Sequence, residues 1–248
     1  MSHTFTVSPD FSPDHLSGWY IFNTWLQRQS GEAIHLEMYD DFHAQRDAIQ
    51  SNQIDLIYAN PFDAAMLVRE KGFLPLVKAA DMSDEAIIAV SVDNAVNDIS
   101  HLSAGINVAT TEDPDVHMIG MIMLEAGNLD ASNIQTHFHN SYVLIAKSLI
   151  QGKADVGIFL AEAYDGLSNL TKKQLKILVR SQIGVIHHSL MIGPTLAHRQ
   201  TEFQQLLLAM NNDEKGKGVL NSLGFDAWVK VEGEEMEFMI DLMDTLSI

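Results

Sequence analysis

One sequence pattern occurs twice in this chain and constrains the fold more than any other feature. Each copy ends an apolar helical stretch at a residue that tolerates the left-handed conformation, Asn52 or Gly152, and three residues later an aspartate, Asp55 or Asp155, opens a short apolar run. The run is too short for a helix and too continuous for a half-exposed strand, so it predicts a buried parallel strand. Because ligands bind at the carboxyl ends of such strands in open α/β sheets, the two copies predict two similar lobes that close on one ligand.

Strand and helix patterns alternate along the whole chain. This alternation predicts an α/β fold in which each of two lobes is a mostly parallel sheet flanked by helices. Besides the two runs above, the predicted strands cover residues 5–7, 33–38, 73–77, 86–92, 106–109, 135–138, 175–179 and 190–192. The predicted helices cover 15–29, 42–50, 141–150, 202–210, a segment that ends at 125 and the acidic tail from 234. No low-complexity linker interrupts this alternation, so two chain crossings are expected to join the lobes.

Composition excludes several classes of function. The 248 residues carry 33 acidic and 15 basic side chains, a net charge of −18, which argues against nucleic acid or an anionic membrane as a partner. Without cysteine there are no disulfides, thiolate metal sites or cysteine nucleophiles. No apolar stretch is long enough to span a membrane. The N-terminus lacks a basic segment followed by an apolar one, so the chain as given is expected to be cytoplasmic, or periplasmic if a leader was removed.

Five segments of the chain resemble one known family. Residues 54–61 are similar to that family's strand and aromatic-x-Gly-Pro turn, 72–76 to its next strand, 149–157 to a helix end and small-residue strand, and 212–216 and 220–228 to its closing helix and loop. The family is the substrate-binding component of phosphate, phosphite and phosphonate ABC importers, a branch of the type II periplasmic binding proteins.

The resemblance implies an architecture and a function. Lobe one would comprise residues 1–85 and 192–248, and lobe two residues 86–191. The chain would be a non-catalytic receptor that closes by hinge motion on a small polar ligand, either phosphonate-like or zwitterionic, without a cofactor. Its expected partners are the ligand and either an ABC permease or a signalling protein.

The family's anion motif is altered in this sequence. A Ser-Thr-Ser-Gly-like stretch at a helix N-terminus in lobe two holds the family's anion, because free N–H groups and the helix dipole favour negative charge there. Here the matching stretch is Thr110, Thr111, Glu112 and Asp113, which brings in two carboxylates. These carboxylates would weaken or replace an external phosphonate, or bind an amine. Alternatively, Thr110 and Asp113 form a capping box that only starts a helix, which Pro114 then continues.

Other candidate residues come from the remaining predicted ligand loops, where no Lys or Arg occurs. The family's Gly-Ser-His is replaced by Asn140, Ser141 and Tyr142, and Glu162 either receives an amine or is a solvated carboxylate at a helix start. In lobe one the turn at 10–12 and the turn at 58–62 offer aromatic and polar groups that contact ligand or only pack between the lobes. The candidate ligand-binding residues are Asp10, Phe11, Tyr58, Asn60, Phe62, Thr110, Thr111, Glu112, Asn140, Ser141, Tyr142, Glu162 and His187.

Metal binding and catalysis have weaker support. His137 and His139 form a His-x-His pair, His187 and His188 are adjacent, and His117 shares a helix face with methionine, but such patterns are common without a metal, so none is expected. No nucleophile elbow, zinc-protease motif or Gly-rich phosphate loop occurs, so no enzyme is expected. Two alternatives stay open on the same scaffold. One is a cytoplasmic sensor or accessory protein, and the other a cytosolic cofactor-biosynthesis enzyme.

Overall fold

The computed structural model describes residues 2–11 and 13–246. Within these ranges the chain forms two mixed sheets flanked by helices. The strands are β1 (His3–Val7), β2 (Ile34–Glu37), β3 (Leu56–Ala59), β4 (Leu74–Ala79), β5 (Ala86–Ser91), β6 (Asn107–Thr110), β7 (Gln135–Phe138), β8 (Val156–Leu160), β9 (Leu175–Arg180), β10 (Ser189–Ile192) and β11 (Trp228–Lys230). The α-helices are α1 (Leu16–Ser30), α2 (Phe42–Gln50), α3 (Pro61–Lys71), α4 (Pro114–Glu125), α5 (Tyr142–Ile150), α6 (Ala161–Asp165), α7 (Asn169–Lys172), α8 (Gln200–Leu208), α9 (Glu214–Leu223) and α10 (Gly233–Leu246). Short 3₁₀ turns lie at Pro13–His15, Ile99–His101, Ala197–Arg199 and Met210–Asn212.

The chain divides into two compact units. Unit one comprises residues 2–82 and 187–244, and unit two comprises residues 83–186. The sheet of unit one has the order β11-β4-β10-β3-β1-β2, and the sheet of unit two has the order β7-β6-β8-β5-β9. Each unit therefore contains one sheet and one copy of the repeated sequence pattern.

An aromatic cluster forms the centre of the core in unit one. The apolar face of α1 places Trp19 and Phe22 against Phe5 of β1, with ring centroids 6.1 and 5.8 Å from that of Phe5. Trp19 also lies 4.9 Å from the ring of Tyr58 on β3. All four side chains are buried, which fixes α1 across the parallel strands β1 and β3.

The repeated pattern has the same structural basis in both units. The helices end at Asn52 and Gly152, whose φ angles are 54° and 66°, so both adopt the predicted left-handed conformation. The Asp55 carboxylate accepts the backbone N–H of Thr4 at 2.9 Å, and the Asp155 carboxylate accepts that of Asn107 at 2.8 Å. Each aspartate thus extends the pairing between its own strand and the neighbouring parallel strand. The prediction that both repeated runs form buried parallel strands is confirmed: β3 pairs in parallel with β1, and β8 with β6.

Both sheets are mixed, with parallel and antiparallel pairings side by side. Only two of the five strand pairings in unit one and two of the four in unit two are parallel. Four of the five antiparallel pairings involve β10 or β5, the first strands after each chain crossing, which run opposite to β3 and β8, and the fifth joins β11 to β4. An antiparallel strand that is covered on both faces is as continuously apolar as a parallel one, so the hydrophobic pattern does not reveal the direction of pairing.

The C-terminal helix α10 packs on unit one. Met236, Met239 and Ile240 are buried in the same hydrophobic cluster as Ile57 of β3, whereas Phe238 is exposed. Within the described ranges, no helix combines the length and apolar character that a membrane crossing requires.

Candidate functional site

In unit one, two turns with candidate residues lie side by side. Val7 at the end of β1 pairs with Tyr58 of β3, and the Ser8 N–H continues this pairing by donating to the Tyr58 carbonyl at 2.8 Å. The turn containing Asp10 and Phe11 and the start of α3 therefore share the carboxyl edge of the sheet. Ser12, which completes the predicted turn, lies outside the described residues.

Asn60 joins these two turns through its side chain. Its Oδ1 accepts the N–H of Asp63 at 2.7 Å and caps α3, and its Nδ2 donates to Ser8 Oγ at 3.0 Å and to Asp63 Oδ2 at 2.9 Å. The residue is fully buried. Asn60 therefore positions the turn at the start of α3, and this role explains its place before Pro61.

A cation that the sequence analysis did not select lies beside this turn. Arg46 of α2 donates from Nε to Asp63 Oδ1 at 2.6 Å, and its guanidinium carbon lies 5.0 Å from the ring centroid of Phe62 and 5.4 Å from that of Phe42. Asp63 is almost completely buried. Because Arg46 comes from a helix rather than from a predicted ligand loop, only its spacing four residues after Phe42 could have indicated it.

His188, rather than the predicted His187, lies beside Tyr58 and Asp10. The His188 ring stacks on Tyr58 with a centroid distance of 5.3 Å and an interplanar angle of 24°, and its Nε2 lies 3.1 Å from Asp10 Oδ2. Burial by itself would raise the pKa of Asp10, but the charge and hydrogen bond of His188 and the hydroxyl of Ser8 outweigh it. The pKa of Asp10 therefore lies below its ordinary value of 3.8.

The predicted residue His187 belongs to a different group of side chains. Its Nδ1 lies 3.2 Å from Ser189 Oγ, and its Nε2 lies 3.5 Å from Glu235 Oε1 on α10. Burial would raise the pKa of Glu235, but the hydrogen bond and charge of Lys78 and the charge of His187 lower it. Adjacent residues before a strand face opposite sides, so the sequence could not show which histidine meets Tyr58.

In unit two, the carboxyl ends of three parallel strands bring the predicted residues together. Strands β6, β7 and β8 end at the same edge of the sheet, and α4, α5 and α6 follow them. Thr110 is the last residue of β6 and is fully buried, while Thr111 Oγ1 lies 3.3 Å from the hydroxyl of Tyr142. The structure therefore brings Thr111 of the candidate stretch 110–113 into contact with Tyr142 of the candidate stretch 140–142.

Asp113 is the N-cap of α4. Its Oδ1 accepts the N–H of Val116 at 3.3 Å, and its Oδ2 accepts the hydroxyl of Tyr142 at 2.9 Å. The predicted capping box with Thr110 as the cap is therefore wrong. Proline at the first helical position requires an extended residue directly before it, and this requirement moves the cap to Asp113, at φ −61° and ψ 110°. The Asp-Pro pair was the signal that could have shown this.

The remaining predicted residues of unit two surround this helix start or follow the neighbouring strands. Glu112 and Asn140 are exposed. Ser141 caps α5 by accepting the N–H of Leu144 at 3.4 Å, and Glu162 is exposed in the first turn of α6. The first turn of α4 also contains Asp115, which is 1% exposed. This edge therefore combines hydroxyl groups with carboxylates.

Comparison with known proteins identifies the family. The family model described as the periplasmic phosphonate substrate-binding protein of an ABC transporter matches residues 5–236. This chain belongs to that family. Its members are substrate-binding components of transporters and not enzymes, so the predictions of small-molecule binding and of a non-catalytic role are confirmed.

Solved structures support the same fold at low sequence identity. PhnD1 from Prochlorococcus marinus in complex with methylphosphonate matches with a TM-score of 0.82 at 13% identity, covering 99% of this chain and 98% of that one. A binding-protein component of a phosphonate ABC transporter from Pseudomonas aeruginosa matches with 0.74 at 15%, covering 100% and 89%. The aliphatic sulphonate binding protein SsuA from Escherichia coli matches with 0.69 at 12%, covering 99% and 91%. The predicted periplasmic-binding-protein fold is therefore confirmed. A search of curated sequences finds no significant match.

Proposed function

We propose that this chain is the solute receptor of an ABC importer and that its ligand carries a positively charged group, as an aminoalkylphosphonate or another zwitterion does. The observation that carries this proposal is the carboxylate of Asp113 at the N-terminus of α4. There it accepts the Val116 N–H and the Tyr142 hydroxyl. A helix N-terminus ordinarily attracts an external anion, and in this chain an internal carboxylate takes that role.

Electrostatics decide between a simple oxyanion and a ligand with an ammonium group. Glu112 directly precedes Asp113 and Asp115 follows it two residues later, within a chain of net charge −18. Two unit charges 4 Å apart interact by about 4 kcal/mol near a protein surface, so a second anion is repelled here by an amount comparable to the attraction of an ammonium group. We therefore assign the charged end of an amine to this edge of unit two, with exposed Glu162 as a further acceptor.

The other candidate residues receive roles from their contacts. Tyr58, Phe11 and Phe62 would supply apolar surface for the carbon skeleton of the ligand, while Asp10 and the hydroxyls of Thr111, Ser141 and Tyr142 would orient its polar groups. Thr110, Asn60 and His187 are buried and would act by positioning their neighbours. Exposed Asn140 would contact the ligand directly.

Closure and partner follow from the family. We propose that units one and two are the two lobes, that both contribute ligand contacts, and that the ligand shifts the population toward a closed form. The closed form would then dock on an ABC permease.

A second candidate function is binding of a simple phosphonate. The hydroxyl groups of unit two and the guanidinium of Arg46 in unit one favour it, since both are suitable donors to an oxyanion. The two candidate functions differ in the charge of the ligand group that would lie beside Asp113. That charge is positive for a ligand with an ammonium group and negative for a simple phosphonate.

Thermal unfolding with a ligand panel tests the proposal. The panel contains phosphate, methylphosphonate, 2-aminoethylphosphonate, amino acids and polyamines. A ligand at a hundred times its dissociation constant adds about 2.7 kcal/mol, which raises Tm by a few degrees. We expect stabilisation by compounds with an ammonium group and little by methylphosphonate. Equal stabilisation by methylphosphonate would contradict the proposal, and no response to any compound would favour a sensor or accessory role.

A variant makes this test specific to the helix start. Asp113→Asn keeps a capping oxygen and removes the charge, so we expect the preference to shift by about tenfold toward methylphosphonate. Glu125→Gln, at the exposed end of the same helix, is the matched control and should leave the preference unchanged. An unchanged preference in Asp113→Asn would remove Asp113 from the site.

A further inference from the structure

The chain passes between units one and two twice, and the two crossings are hydrogen-bonded to each other. The division falls between residues 82 and 83 and between residues 186 and 187. Just inside unit two, the Asp84 N–H of the first crossing donates to the Ile186 carbonyl of the second at 2.7 Å. Residues 181–188 have no regular secondary structure, so the backbone groups of the second crossing depend on partners outside a strand ladder.

Glu85 in the first crossing holds the second crossing with its side chain. Its Oε1 accepts the Gly184 N–H at 2.7 Å, and its Oε2 accepts the Ile183 N–H at 3.0 Å. Oε2 also accepts the hydroxyl of Ser181, which in turn accepts the Ala86 N–H at 2.9 Å. The three partners of the carboxylate are 96 to 99 positions away from Glu85 in the sequence. One side chain therefore joins two segments that local structure does not bring together.

Gly184 gives this loop a shape that suits a carboxylate. Its φ angle is 72°, in the left-handed region. Successive backbone N–H groups beside a left-handed residue form a concave site that attracts an anion. Here the Glu85 carboxylate occupies that site, and hydrogen bonds to an ionised group are about twice as strong as those between neutral groups. Between the backbone hydrogen bonds at Ser181 and Ile186, one charged side chain therefore fixes the loop.

The backbone of Glu85 connects this contact to the proposed solute site. Its carbonyl accepts the N–H of Ala161, the first residue of α6, at 2.7 Å. Glu162, the further amine acceptor proposed above, is the next residue. Ala86, which follows Glu85, opens β5 and pairs with Leu160 at the end of β8. A displacement of the first crossing would therefore be transmitted to the edge of the sheet where β8 ends and α6 begins.

We infer that Glu85 is a positioning residue for closure, because its carboxylate locks the two crossings into one hinge with the starts of β5 and α6 as its base. Hinge closure concentrates the backbone change in a few residues at the ends of elements. With both crossings fixed at that base, the units turn about one axis, and the ligand does not have to order the second crossing when it binds. The inference rests on the proposed function, since it concerns the ligand-driven closure proposed there.

The first test needs no ligand. Because the chain has no cysteine, Gln29→Cys in α1 and Lys147→Cys in α5, both at exposed positions, each accept one spin label, and pulsed EPR measures the distribution of distances between the units. Glu85→Gln keeps the shape of the side chain but replaces one acceptor oxygen by a donor, so we expect a broader distribution. Glu125→Gln, an exposed position in unit two, is the matched control and should leave the width unchanged. Equal widths with and without Glu85→Gln would overturn the inference.

The second test measures the binding of 2-aminoethylphosphonate by calorimetry. Glu85→Gln should weaken it by about tenfold, because only a fraction of the ligand-free molecules then has the second crossing in place. A role limited to stability would lower Tm without changing the affinity, and that outcome would overturn the inference. Ser181→Ala removes a donor to the same carboxylate, so the double variant should lose less affinity than the sum of the single variants. If the wild type binds no compound of the panel, the proposed function fails, and the ligand-free distance distributions decide whether Glu85 locks the hinge.

Discussion

Helix α3 in unit one and helix α4 in unit two both begin shortly after a buried parallel strand, with a capping side chain followed by proline. In unit one the cap is the neutral amide of Asn60, and in unit two it is the carboxylate of Asp113. Each first turn also contains a buried aspartate, Asp63 or Asp115. The two helix starts are therefore alike in backbone geometry and differ in the chemistry of the cap.

The two starts also differ in how the carboxylate is held. In unit one the guanidinium of Arg46 forms an ion pair with the carboxylate of Asp63. In unit two an N–H and the hydroxyl of Tyr142 donate to Asp113. Similar local sequences therefore give helix starts whose carboxylates have different partners, because those partners come from other elements of each unit.

The largest expected effect comes from removing the carboxylate in unit one. Asp63→Ala leaves the Arg46 guanidinium without its carboxylate partner and removes one of the two acceptors of the Asn60 amide, so we expect a loss of about 3 kcal/mol in the free energy of unfolding. Urea unfolding measures it, with Asp47→Ala on the exposed face of α2 as the matched control. A double-mutant cycle with Arg46→Ala isolates the pair. A loss no greater than that of the control would show that the pair is not structural.

A smaller effect is expected in unit two. Asp113→Ala removes a helix cap and the acceptor of the Tyr142 hydroxyl, which together are worth about 1.5 kcal/mol, because the released donors can turn to water. Asp113→Asn should recover most of this loss, since the amide oxygen still caps α4. If Asp113→Ala were as destabilising as Asp63→Ala, the two helix starts would not differ in the way the contacts indicate.

The smallest effect concerns acid stability through Asp10. Its folded pKa is lower than its ordinary value, so Asp10 stabilises the fold above about pH 4, and this contribution is lost as the pH falls through the folded pKa. As the pH falls below about 4, the free energy of unfolding of Asp10→Asn should therefore decrease less than that of the wild type. Urea unfolding across this range checks the slope. Parallel slopes would mean that His188 does not bias Asp10.

Local patterns predicted most of the elements well. The strand 135–138 and the helix 42–50 have the predicted bounds. In the helix the reason is that hydrophobic spacing reports which face is covered, since Phe42, Ala48 and Ile49 are buried. The repeated aspartate was predicted only to open a strand. The structure adds that each aspartate accepts a backbone N–H from the neighbouring parallel strand. Asp55 accepts that of Thr4, 51 positions away, and Asp155 accepts that of Asn107, 48 positions away. Such a contact leaves no local signature.

The positions of the candidate residues at the edges of their sheets were predictable, but their contacts were not. Strand ends placed Tyr58, Thr111 and Tyr142 at the right edges of their sheets, and Thr111 and Tyr142 do meet. That His188 rather than His187 stacks on Tyr58, and that Arg46 pairs with Asp63, have the same cause. Which side chain of a helix or of an adjacent pair meets a given turn depends on packing between distant elements.

By itself the sequence determined the class of protein, the positions of the strands and helices, the left-handed helix ends at Asn52 and Gly152 and the edges of the sheets that carry polar residues. The class of protein follows from the resemblance of five segments to a known family, and the rest follows from periodicity and backbone conformation, which are local properties. Only the tertiary structure decided the direction of β5 and β10, the transfer of the α4 cap to Asp113 and the pairing of Arg46 with Asp63. These depend on where the chain returns after long separations, and the free energy of those contacts is not encoded in any single stretch of residues.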